Sequence, residues 1–151
     1  MKKLIPLIIV IAIGLYNFIS HEKSNENDIT VPKAKTVAYI QNNTKIINAF
    51  KKKQSDIQIK GFGTVVHILR DDIKGSKHQK FILEIAPHLT ILIAHNIDLA
   101  PRINSLRKGD IIKFYGEYEY NNKGGVVHWT HHDPRNKHIS GWLKHNGRTY
   151  Q

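Results

Sequence analysis

Between Ile57 and His131 the sequence falls into five short runs rich in isoleucine, valine and aromatic residues, each bounded by glycine, proline or small polar residues. That texture is the signature of strands joined by tight turns. The runs are IQIKGFGTVVHILRDD (57–72), HQKFILEIA (78–86), LTILIAHNI (89–97), IIKFYGEYEY (111–120) and GVVHWTH (125–131). Gly61 and Gly63 fall inside the first run, where glycine predicts a bulge or a sharp bend. NNKGG, between the fourth and fifth runs, predicts a hairpin loop, and Asn146-Gly147, centred between Trp142/Leu143 and Thr149/Tyr150, predicts a second hairpin at the carboxyl end. LAPRINSLRKGD, between the third and fourth runs, predicts a short helix or turn.

No helical stretch alternates with the strands, which argues against a doubly wound α/β sheet. Five strands, a glycine-bent first strand and a break before the fourth predict a mostly β fold, a small five-stranded Greek-key barrel. This arrangement resembles the oligonucleotide/oligosaccharide-binding (OB) fold. Upstream, Val37, Ile40, Ile47 and Phe50 recur near helical spacing and Lys51, Lys52 and Lys53 follow them, which predicts a short helix lying on the domain.

The amino terminus reads as an address. Lys2 and Lys3 precede an apolar run from Leu4 to Ile19, a pattern of export signals, with residues 1–20 serving as a signal peptide or a retained membrane anchor. Residues 21–35 are polar and aperiodic and read as a linker, leaving 36–151 as the barrel domain with its preceding helix. The expected location is therefore outside the cytoplasm, on the periplasmic or extracellular face, with the membrane reached through residues 4–19 where the segment is kept.

Lys and Arg outnumber Asp and Glu 23 to 12, for a formal charge of +11 before any of ten histidines protonates. Such a surface attracts polyanions: nucleic acid, anionic lipid head groups or acidic envelope polymers. The chain has no cysteine, which excludes disulfides, thiolate chemistry and cysteine-based zinc sites. A divalent metal ion would have to be held by His, Asp, Glu or Asn.

The densest polar segment is HWTHHDPRNKH, residues 128–138, with four of the ten histidines. If the strand stays extended, His128, Thr130 and His132 face one way and Trp129, His131 and Asp133 the other. His131 and Asp133 would then be about 7 Å apart at Cα, a workable spacing for two ligands of one metal. The turn forced by Pro134 would let His138 return as a third. His95 and Asp98 close the third run and His78 opens the second. The metal set read from the sequence is His95, Asp98, His131, Asp133 and His138, and the acid/base candidates are His131, His132, Asp133 and His78. In the competing reading, Asp133 is a turn residue that bonds backbone amides. Nucleic-acid contacts are assigned to Arg102, Arg135, Lys80 and Lys113, with Tyr118 and Tyr120, and Tyr115 beside them, as stacking faces where they lie on the exposed side of the barrel. In DDIKGSKHQ, Asp71 and Asp72 are placed to hold a cation and Ser76, Lys77 and His78 to meet an anion, or the stretch is a polar turn.

The strings DDIKGSKHQKFIL, AHNIDLAP, GEYEYNNKGGVVHWTHHDP and GWLKHNG resemble an uncharacterised family of small exported bacterial proteins over about residues 61–151, a resemblance that implies no activity. GTVVHILRDD followed by NIDLAP is similar in layout to the thermonucleases, calcium-dependent OB-fold nucleases. That likeness implies carboxylates at Asp71, Asp72 and Asp98 around an ion and a phosphate-binding Arg102; the glutamate expected after the proline is absent, and Arg102 stands there.

Three functions follow as expectations. The first is an exported or tethered OB-like module that binds a polyanion, nucleic acid above all. The second is a metal-dependent phosphodiester hydrolase, and the third a structural protein of the cell envelope.

Overall fold

A computed structural model describes residues 33–151; residues 1–20, read from the sequence as a signal peptide or anchor, and the expected linker up to residue 32 lie outside the described residues. No helix among the described residues is long and apolar enough to cross a membrane. The chain forms α1 (Lys33–Lys51), β1 (Ile57–Ile68), β2 (His78–Ala86), β3 (Leu89–Asn96), β4 (Ile111–Glu119), β5 (Val126–His128), β6 (Trp142–His145) and β7 (Arg148–Tyr150).

The sheet runs β1-β2-β3-β5-β4 and closes through β4–β1. The result is a mixed five-stranded barrel in which only the β3–β5 pairing is parallel. Closure removes the open edges that a strand set of this length would otherwise expose. Alternation does the rest: Ile59, Phe81, Leu83, Ile93, Phe114 and Val127 point inward and are fully buried. One edge of β4 is shared in succession. Its Glu117–Glu119 half pairs with β5 and its Lys113–Tyr115 half with β6. The chain changes over at Gly116, where a Cβ would lie 2.4 Å from the His128 carbonyl oxygen.

Several expectations are corrected. The irregularity in β1 lies between Val65 and His67, not at the glycines. Gly61 and Gly63 serve close approach instead: a Cβ on Gly61 would meet Asn43 Oδ1 at 2.6 Å, and one on Gly63 the Glu84 carbonyl at 2.6 Å. The helix buries Tyr39, Asn43, Ile46 and Ala49, spaced by three or four residues, whereas Val37 and Ile40 stay exposed. It begins at Lys33, inside the stretch read as linker. Asn43 explains its register, since the side chain donates to the carbonyls of Phe62 (2.8 Å) and Ile85 (2.7 Å) and accepts from Phe62 N–H (3.0 Å).

Residues 97–110 contain no helix. The loop plugs the barrel with buried Ile103 and Leu106, and Gln79 receives the Ile103 N–H (2.9 Å) while donating to its carbonyl (3.0 Å). At the carboxyl end, Asn146 (φ +48°) and Gly147 (φ +79°) turn the β6–β7 hairpin, a pair of positive φ values that favours these two residue types.

Candidate functional site

The fifth strand ends sooner than alternation predicts. Trp129 adopts φ +51°, so β5 stops at His128 and the outward-inward order reverses. His128 faces outward beside β4, while Thr130 and His131 are buried. Residues 131–141 then fold into a closed loop, sealed by the Gly141 N–H on the His131 carbonyl (2.9 Å).

Asp133 organises that loop. Its carboxylate accepts the backbone N–H groups of Arg135 (3.1 Å), Lys137 (2.7 Å) and His138 (2.8 Å). The bond from Arg135 leads the causes that hold its pKa below the ordinary carboxylate value, against the opposing effect of burial. The carboxylate is thus a loop clasp, aimed at its own backbone. His131 Nδ1 donates to the His132 carbonyl (2.8 Å), and His132 Nδ1 meets Ser140 Oγ at 3.1 Å on the exposed side.

His95 is wholly buried. Its Nε2 contacts the Pro101 carbonyl (3.2 Å), which can only accept, so Nε2 carries the proton and Nδ1 accepts from the Thr130 hydroxyl (2.8 Å). Burial, with smaller contributions from the nearby His131 and His78, lowers its pKa to about 4 despite the Pro101 bond. Both ring nitrogens are engaged in the fold, which leaves none for a metal. Asp98 accepts the Lys77 N–H (2.7 Å) and pairs with its ammonium (3.7 Å). The metal set drawn from the sequence therefore does not assemble as one cluster.

The carboxylates of the thermonuclease-like layout are likewise engaged. Arg102 Nε binds Asp71 Oδ2 at 2.8 Å, and Lys80 lies 3.8 Å from Asp72. Arg102 and Lys80 are thus partnered within the fold. Tyr118 is a core residue whose hydroxyl donates to the Gly124 carbonyl (2.9 Å); burial pushes its pKa up to about 12, and it presents no ring to a base. Tyr120 packs against Phe50, ring centroids 5.7 Å apart.

Two groupings on the outer wall do assemble. The first spans β1, β4 and β6. Register places Lys60, Tyr115 and Trp142 in one row across the three strands, and Phe62, Lys113 and Lys144 in the next. The Tyr115 and Trp142 rings are 6.2 Å apart, and the ammoniums of Lys60 and Lys144 lie 5.7 and 4.8 Å from the indole. A depression of about 350 Å³ opens there, lined by Lys60, Phe62, Lys113 and Trp142 with Asn42 and Gly61. Of these residues, Lys113 and Tyr115 are among the contacts expected from the sequence, and the others are not. The signal was the alternation of K-F-Y in β4 and W-L-K in β6, which becomes informative once the strands are known to be neighbours.

The second grouping lies farther along β4. Glu117, Glu119 and His128 place one ligand atom each within 4.8 Å of one another, the only cluster of three or more metal-type ligands among the described residues. His128 Nε2 is 3.3 Å from Glu117 Oε1 and 4.0 Å from Glu119 Oε1. His138 Nε2 binds the other Glu117 oxygen at 2.7 Å. Burial of His138 opposes its protonation, but that bond, the Ile139 carbonyl and the charges of Glu117 and Asp133 outweigh it, so its pKa is raised. His128 also lines a groove of about 320 Å³, shared with His78, Trp129, His131 and Arg135. His78 and His131 thus share a hollow, whereas Asp98 and Asp133 do not line it. Glu117 and Glu119 were missed from sequence; an E-x-E pair on a strand is common on any solvated face.

The fold and its outer wall define a small β-barrel domain. The chain belongs to the family described as "Protein of unknown function (DUF3465)", whose model matches residues 29–151. A comparison with curated proteins finds no match.

Proposed function

We propose that the domain is an exported or membrane-tethered OB-like module that binds a polyanion, single-stranded nucleic acid above all, on the β1–β4–β6 wall. The observation that carries this reading is the two-row grid of Lys60, Lys113 and Lys144 interleaved with Phe62, Tyr115 and Trp142. Lysines meet phosphates and aromatic rings stack bases, a combination that tolerates any sequence. A net charge of +11 favours encounter. Such barrels usually bind through the β2–β3 face; here the aromatic and cationic groups concentrate on the neighbouring wall instead. Export rests on the Lys2-Lys3 start and the apolar run that follows.

Fluorescence anisotropy with labelled single-stranded DNA across a salt series tests this. Binding should weaken linearly in log–log form as salt rises, and Trp142→Ala should lower affinity by about 1–3 kcal/mol, the contribution of one base–ring stack. Absence of binding at low salt, or binding indifferent to salt, would overturn it.

A second reading, metal-dependent hydrolysis of a phosphodiester, is favoured by the groove in which Arg135 and His131 adjoin His128 and, through it, the Glu117–Glu119 pair. Arg135 would hold the phosphate and His131 would serve as the base. Incubation of the protein with plasmid DNA and Mg, Ca, Mn or Zn ions should then give nicked product; intact plasmid with all four removes this reading.

A further inference from the structure

We propose that Glu117, Glu119 and His128 form a binding site for a divalent cation of the zinc class, separate from the lysine–aromatic platform and independent of what that platform binds. Strand alternation turns Glu117 and Glu119 to the same outer side of β4, and the β4–β5 register sets His128 directly opposite Glu117. Two carboxylates and one imidazole are a donor set that suits zinc and neighbouring divalent metals.

A second observation points to a missing partner. His128 Nε2 is buried and has no hydrogen bond, although a carboxylate oxygen lies only 3.3 Å away. Across the other edge of β4, Glu117 is paired in register with Gln58, whose Nε2 is also buried without a partner. Of the three such atoms found among the described residues, two therefore belong to the cross-strand neighbours of Glu117. Buried polar atoms are ordinarily satisfied, so their concentration around one carboxylate marks a place for a further group. An imidazole lone pair is satisfied by a cation, and a reversed Gln58 amide would present oxygen in place of nitrogen. The bond from His138 fixes the second Glu117 oxygen, the role that outer histidine–carboxylate contacts play around metals. Through His128 the site borders the groove that also holds His131 and Arg135, so the bound cation would stand beside a place for an anion.

Titration of the chelator-treated full chain with Co²⁺, read from its visible ligand-field bands and by displacement with Zn²⁺, tests the site. Stoichiometric binding is expected, weakened about tenfold or more by Glu119→Gln and by His128→Ala and unchanged by His132→Ala. Among the described residues the Glu119 carboxylate has no partner other than His128 at 4.0 Å, so Glu119→Gln probes ligation without disturbing the fold and decides the matter even where His128→Ala fails to fold. Lack of stoichiometric binding, or binding as tight in Glu119→Gln as in the parent chain, overturns the proposal.

Discussion

The imidazole of His138 lies flat on the indole of Trp129, ring centroids 4.0 Å apart and planes 9° from parallel. The same imidazole reaches Glu117 through Nε2 (2.7 Å) and the Ile139 carbonyl through Nδ1 (2.8 Å). One side chain thus pins the 131–141 loop both to the residue where β5 breaks and to the outer wall of β4. His138→Ala should destabilise the domain by about 1–3 kcal/mol, the combined loss of a ring stack and a hydrogen bond to a charged group. Denaturant unfolding followed by tryptophan fluorescence checks this; an unchanged midpoint would mean that the stack carries no net stability.

His95 should make stability depend on acid. Its pKa is lowered to about 4 in the fold, chiefly by burial, from 6.5 when unfolded. Between these values the unfolded chain binds more protons, so stability rises with pH. The contribution is complete above pH 6.5 and is lost as the pH falls towards 4, amounting to about 3 kcal/mol. Thermal unfolding of the parent chain and His95→Gln at about pH 7 and about pH 4 measures it. The difference between the two proteins should narrow at the lower pH; an equal difference at both would assign the acid sensitivity elsewhere.

Asn43 should be among the most sensitive positions of the helix. Three hydrogen bonds join this buried side chain to β1 and β2, so Asn43→Ala should cost about 2–4 kcal/mol by leaving backbone groups unpaired. Asn43→Asp should be worse still, because a carboxylate cannot donate to the Phe62 and Ile85 carbonyls. Urea unfolding of the three proteins gives the order.

Asp133→Ala should release the loop and spare the barrel. Hydrogen exchange at the amides of Arg135, Lys137 and His138 should quicken while β2 and β3 keep their protection, because among the described residues the lost acceptor serves only those three N–H groups. Faster exchange throughout the barrel would show that the loop belongs to the folding unit.

Lys113→Glu should act on binding and leave stability nearly untouched, since the side chain is exposed. Affinity for single-stranded DNA should fall, and the slope against log salt should drop by about one phosphate contact's worth, roughly 0.7. An unaltered slope would remove Lys113 from the interface.

Much of the barrel was legible in the sequence because its determinants are local. Strand runs announce themselves by two-residue alternation, and Asn146-Gly147 by the positive φ values that its turn requires. Helix packing was less legible: Val37 and Ile40 look like core by composition, yet Asn43, a polar residue, occupies the buried stripe because two strand carbonyls and an amide needed it. The HWTHHDP segment misled because alternation holds only while the backbone stays extended, and Trp129 turns it over.

The sequence by itself therefore determined the strands, their turns, the basic charge and the absence of thiol chemistry, all properties that reside in neighbouring residues or in composition. Only the tertiary structure decided that His95 is sealed beneath Thr130, that three lysines and three aromatic residues share one wall, and that Glu117 and Glu119 meet His128. Each of these depends on which residue stands opposite which across two strands, and that register is set by barrel closure and by the backbone reversal at Trp129, neither of which is written in any one stretch of chain.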